Sequence, residues 1–131
     1  MKINMKTKVY LCGGMVTRWQ EKIMHELAGA FDFINPASHG LSNPIQYTLW
    51  DIHYVKRCDI LFCYMETTNT GGFGAAVEIG IAKALNKTII LVDEKSTTDE
   101  SFKRKFNMVR ETSDIIFDNY MDGFNYLKMF K

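Results

Sequence analysis

The sequence predicts an α/β fold: one doubly wound, five-stranded parallel sheet with helices on both faces. Short apolar runs rich in β-branched and aromatic residues alternate with longer helix-compatible segments, which is the signature of βαβ units. The segments densest in Pro, Gly, Ser, Thr and Asn follow the carboxyl ends of predicted strands, where an open parallel sheet binds its ligands.

The strands are expected at 8–12, 31–34, 59–64, 88–92 and 114–117, and the helices at 17–28, 47–57, 74–85, 99–110 and 121–129. Right-handed crossovers and a central first strand place these runs in the flavodoxin-like order 2-1-3-4-5. Strand segments 9–12 and 60–63 should then be adjacent and fully buried, with the loops that follow them forming the pocket. Segments 35–44 and 66–74 read as loops of functional length, and loop 13–18 opens onto the same edge.

With 131 residues and 47% hydrophobic residues, the chain is expected to form a single domain, 1–131, with one core. Its formal charge of +1, from 16 basic and 15 acidic residues, gives no footprint for a nucleic acid polymer or an anionic membrane, so a small ligand is expected. No apolar run approaches the roughly 20 residues that span a bilayer. MKINMKTK leads straight into a strand-like segment, so a cytoplasmic location is expected. Cys12, Cys58 and Cys63 form no CxxC pair and lie in or beside apolar runs; they read as buried free thiols. No cofactor and no metal is expected.

The run GGFGAAVEIGIAKAL is the most informative stretch, because one carboxylate, Glu78, interrupts a small-residue helix start. Gly71, Gly72 and Gly74 let the backbone approach a ligand, and Ala75, Ala76 and Gly80 keep side chains out of the way. A carboxylate in the first turns also feels the positive end of the helix dipole, which favours the ionised, nucleophilic form. The plainer alternative makes Glu78 the polar face of an amphipathic helix, with Lys83 as its companion. Neither GxGxxG after the first strand nor a Walker sequence is present, so those routes to dinucleotide or triphosphate binding are unsupported.

KVYLCGGM at the first strand, the NPASHG loop, YTLWDIHYVKRCDILFCYME and NTGGFGAAVEIGIAKALNKTIILVDEK together resemble the nucleoside 2-deoxyribosyltransferase-like superfamily, including its 2′-deoxynucleoside 5′-monophosphate N-glycosidases. The resemblance covers nearly the whole chain. It implies that Glu78 is the nucleophilic glutamate, that Asp51 faces the leaving base, and that Tyr10 helps orient the glutamate. It further implies that Gly13 and Gly14 form a side wall for sugar and base, and that Asn69, Thr70, Gly71 and Gly72 form the loop at the 5′ end of the sugar. Gly72, six positions before Glu78, departs from the family, whose deoxynucleoside enzymes often place an aspartate there and whose monophosphate hydrolases place a serine. Nucleoside and monophosphate therefore stay open. In the family's transferases a neighbouring subunit completes the pocket with a C-terminal Asn or aromatic residue; Asn119, Tyr120 and Tyr126 are the candidates.

Breaking an N-glycosidic bond builds positive charge on the sugar and negative charge on the base, so a nucleophile beneath the sugar and an acid beside the base are needed. Glu78 and Asp51 supply that pair if their environments push their pKa values apart. Asp51, between Trp50 and Ile52, has burial to raise it; its alternative is a helix-surface aspartate or cap. Trp19 and Trp50 each have two readings, a flat face for a base or a core position. Arg18 reads as a phosphate contact or a solvated arginine, His39 as a site-rim residue or, the preferred reading, a plain loop residue, and Asp59 as the structural anchor at the start of its strand. The aromatic stretch IIFDNYMDGFNYLKMFK predicts a homo-oligomer. A rival function is a nucleotide-binding sensor on the same scaffold, with Glu78 holding ribose without turnover.

Overall fold

The computed structural model describes residues 5–131. The strands β1 (Lys8–Gly13), β2 (Asp32–Ile34), β3 (Ile60–Met65), β4 (Thr88–Asp93) and β5 (Ile115–Phe117) form one sheet in the order β2-β1-β3-β4-β5, and every pairing is parallel. This is the order that the sequence predicts. Cys12 stands opposite Cys63 and Tyr10 opposite Leu61 in the β1–β3 register. All three cysteines are buried free thiols.

Strand side chains alternate between faces, so the sheet splits the core in two. Tyr10, Cys12, Leu61, Cys63, Ile89 and Leu91 face a layer containing Val55 of α2 (Pro44–Val55) and Ala75, Ile79 and Ala82 of α3 (Phe73–Ala84). Val9, Leu11, Phe62, Ile90 and Val92 face Trp19 and Ile23 of α1 (Trp19–Glu26) and Phe124 and Leu127 of α6 (Tyr120–Leu127). The two sets of helices thus cover opposite faces. Among the described residues, no helix is long and apolar enough to cross a membrane.

Three helices depart most from their predicted bounds. Arg18 adopts a left-handed conformation, φ 58°, so α1 starts only at Trp19. Helix α2 starts earlier than predicted, at Pro44, because the Asn43 side chain accepts from the amides of Ile45 and Gln46 and proline suits the first helical turn. The predicted helix over 99–110 is two helices, α4 (Glu100–Lys105) and α5 (Asn107–Thr112), meeting at buried Phe106.

Polar contacts tie down both ends of the sheet. Asp93, fully buried at the end of β4, accepts from the Ser96 amide at 3.0 Å and pairs with Arg110 at 2.5 Å. At the start of β3, Asp59 accepts from the Lys8 amide at 2.8 Å, the anchoring role read from the sequence.

The sharpest local demand falls on Gly13, whose φ of +133° places a hypothetical Cβ 2.3 Å from the Tyr64 carbonyl oxygen. That oxygen belongs to a paired strand and cannot swing away. Gly13→Ala is therefore expected to destabilise the fold by about 3 kcal/mol or more, read as a lower denaturation midpoint with an unchanged m-value.

Candidate active site

The loops after β1 and β3, the start of α3 and one side of α2 enclose a cavity of about 370 Å³, lined by Gly13, Gly14, Asn69, Gly72, Glu78 and Asp51 and also by His39, Tyr47 and Met65. The two loops meet closely. A Cβ on Gly14 would lie 2.9 Å from Asn69 Nδ2, so glycine there makes room for the asparagine. Asn69 in turn accepts from the Gly71 amide at 2.9 Å, which folds its loop.

Gly72 is the N-cap of α3 with φ 139°, a conformation that residues with side chains rarely adopt. The backbone therefore strongly favours glycine at this position.

Glu78 lies in the second turn of α3. Its Oε2 is shielded from solvent and has no hydrogen-bond partner. Burial is the main cause that pushes its pKa up to about 7, with a smaller rise from the Asp51 charge and an opposing influence from the Tyr10 phenol. The expected helix-dipole effect does not prevail, because desolvation of a carboxylate outweighs a dipole felt beyond the first turn. Tyr10 is fully buried in β1, and its hydroxyl is close enough to favour the Glu78 charge but not aligned in a hydrogen bond. Burial, reinforced by Glu78, pushes the phenol far above its ordinary range.

Asp51 faces the same cavity from α2. Its pKa is raised by burial, against a lowering influence from His39. His39 Nε2 lies 3.2 Å from Asp51 Oδ1, and His39 Nδ1 accepts from the Leu41 amide at 2.8 Å. The histidine read as a plain loop residue is thus a direct partner of the candidate acid. Asn35 capping the short 3-10 turn Pro36–His39 was the sequence signal that the loop is ordered.

Several expected binding residues lie elsewhere. Trp19 belongs to the opposite face of the sheet: it is 5% exposed, packs on Phe62 and Tyr64, and donates from Nε1 to the Gly14 carbonyl at 2.9 Å. Its base-stacking reading is corrected to that of a core strut beneath the β1 loop. Trp50 packs against the core between His39 and Tyr54, so it backs the cavity through His39 rather than lining it. Thr70 and Gly71 line a neighbouring cavity of about 420 Å³, beside Lys95, Phe102 and Lys105, which shares Gly72 with the first. Asn119 caps α6 by accepting from the Asp122 amide and lines no cavity with Glu78 in its own chain. Tyr120 packs on Tyr64 and Phe124, and Tyr126 on Phe117 and Phe130. Arg18 pairs with Glu21 at 2.7 Å.

No family model matches the sequence, and no curated protein matches it. Among the solved structures that share the fold, two cover nearly the full length of both chains. A 2-desoxiribosyltransferase from Leishmania mexicana superposes with a TM-score of 0.70 at 16% identity, covering 94% of this chain and 97% of its own. A CMP N-glycosidase from Clostridium botulinum superposes with a TM-score of 0.58 at 20% identity, covering 94% of this chain and 99% of its own.

Proposed function

We propose that this chain cleaves the N-glycosidic bond of a (deoxy)nucleoside or its monophosphate through a covalent glycosyl intermediate on Glu78. The observation that carries the proposal is a pair of carboxylates in unlike surroundings lining one cavity: Glu78 with an unpartnered buried oxygen, and Asp51 held by His39. The names of the two structural neighbours support the same bond type. A Glu78 oxygen attacks the anomeric carbon as the C–N bond breaks, the bonding pair leaves on the base nitrogen, and Asp51 supplies the proton. Water, or the nitrogen of a second base, then attacks the same carbon, frees the Glu78 carboxylate and returns a proton to Asp51. Tyr10, whose phenol favours the charged form of Glu78, is proposed to help orient the nucleophile. The site is proposed to work in the cytoplasm, without a cofactor.

The test is chromatographic. The common 2′-deoxynucleosides and their 5′-monophosphates are incubated with and without an acceptor base. Free base is the expected product, and a new nucleoside formed only with acceptor identifies a transferase. Tight binding without base release, undiminished in Glu78→Gln, would establish the sensor instead.

The assembly is proposed to be a homo-oligomer, built on a surface other than the one the sequence suggested. Much of the C-terminal stretch packs inward, with Phe124 and Leu127 buried, while Met121, Met129 and Phe130 stay exposed. Ile45 and Leu49 of α2 and Phe73 and Val77 of α3 also leave apolar surface to water, with Phe73 89% exposed. Exposed apolar surface of this kind marks an interface. Sedimentation at micromolar concentration is expected to give a dimer or larger species, and Leu49→Asp with Phe73→Asp a monomer. A monomeric wild-type chain would reject the assembly.

A further inference from the structure

His39 touches the candidate acid directly, and its surroundings fix how it does so. Its side chain is nearly enclosed, 10% exposed, and its ring stands edge-on to Trp50 at 4.8 Å. The Leu41 amide donates to Nδ1 at 2.8 Å. A nitrogen that accepts a hydrogen bond carries no proton, so the neutral ring carries its proton on Nε2. Nε2 faces Asp51 Oδ1 at 3.2 Å. The direction of that bond follows: the histidine donates and the carboxyl accepts.

We propose that His39 is a positioning residue for Asp51, fixing the carboxyl through Oδ1 so that Oδ2 hands its proton to the departing base. The inference rests on the glycosidic-bond reading above. The Oδ2 proton passes to a base nitrogen while the C–N bonding pair leaves with the base and a Glu78 oxygen closes the new bond to the anomeric carbon. Asp51 is left as a carboxylate, and the Nε2–H that pointed at Oδ1 now bonds to a charged oxygen, which strengthens the bond when the acid has fired. His39 supplies no proton of its own. Its Nδ1 is occupied by Leu41, and its Nε2–H is committed to Asp51.

Two substitutions separate this role from packing. His39→Phe keeps a flat ring against Trp50 and removes the donor; His39→Gln removes the ring and keeps an N–H near the position of Nε2. Both are assayed for base release from the 2′-deoxynucleosides and their 5′-monophosphates, and for nitrophenolate release from a nitrophenyl 2-deoxyriboside, whose leaving group departs unprotonated. His39→Phe is expected to lower kcat for base release by about tenfold or more and nitrophenolate release far less, while His39→Gln stays within about threefold of wild type for both. Equal slowing of both substrates by His39→Phe, or a His39→Phe enzyme more active than His39→Gln, would overturn the proposal in favour of packing. The ¹⁵N spectrum of the ring gives a readout without substrate. It is expected to show the Nε2–H tautomer, with a signal that moves in Asp51→Ala. An Nδ1–H tautomer overturns the pairing while leaving the enzyme reading intact, whereas a wild-type chain that releases no base overturns the enzyme reading and this role with it.

Discussion

Replacing Glu78 with alanine is expected to lower base release by on the order of 10³-fold or more while leaving the fold intact. In the proposed covalent route, Asp51 is the other carboxylate among the described residues lining the cavity. Asp51 is across the cavity and held by His39, and the Tyr10 hydroxyl is buried with its pKa pushed far up, so neither replaces the nucleophile. Alanine also suits a helix already built from Ala75, Ala76 and Ala82. Circular dichroism and an unchanged denaturation slope would confirm that the loss is chemical. Wild-type turnover in Glu78→Ala would remove the mechanism.

The same carboxylate carries a stability cost whose sign is fixed. Glu78 is pushed from 4.5 to about 7 by burial, so the folded chain holds a proton that the unfolded chain has already released. Stability contributed at this site is therefore highest below about pH 4.5, falls as pH rises toward 7, and stays low above it. Relative to Glu78→Gln, the wild type is expected to lose on the order of 1–3 kcal/mol across that window, measured as a gap between denaturation midpoints that opens from pH 4.5 to 7. A gap independent of pH would mean that Glu78 is not desolvated.

The sheet was legible because its signals are local: apolar runs of strand length, and loops at the right ends. The placement of Glu78 in a small-residue helix was legible for the same reason. What the sequence concealed required two distant segments at once. His39 and Asp51 are twelve positions apart and meet only because the Pro36–His39 turn folds over α2. Trp19 is different, since its signal was present: Trp19, Ile23 and Leu27 recur at helical spacing and are all buried, which marks the core face of α1 rather than a ligand wall. The early start of α2 was obscured by Pro44, a breaker inside helices but a favoured first residue. The break at Phe106 has no glycine or proline to announce it; Phe106 turns inward to stack on Phe102, with ring centroids 4.7 Å apart.

Asp51→Asn is expected to slow release of bases that need protonation by on the order of 10²-fold or more, and to slow nitrophenolate release from an activated deoxyriboside much less. Asparagine preserves the size of the side chain and the oxygen that accepts from His39, so the cavity keeps its shape while the acid is lost. The pH profile adds an independent reading with a fixed direction. While Asp51 is ionised its charge is one of the causes that raise Glu78, and in Asp51→Asn that charge is gone, so Glu78 ionises at lower pH. The acid limb of the nitrophenyl substrate's rate, which follows ionisation of the nucleophile, should therefore move to lower pH in Asp51→Asn, opposite to the shift expected if the substitution merely dried the pocket. Equal slowing of both substrates would make Asp51 a sugar-positioning or helix-holding residue, and an unmoved acid limb would mean that the two carboxylates do not sense each other across the cavity.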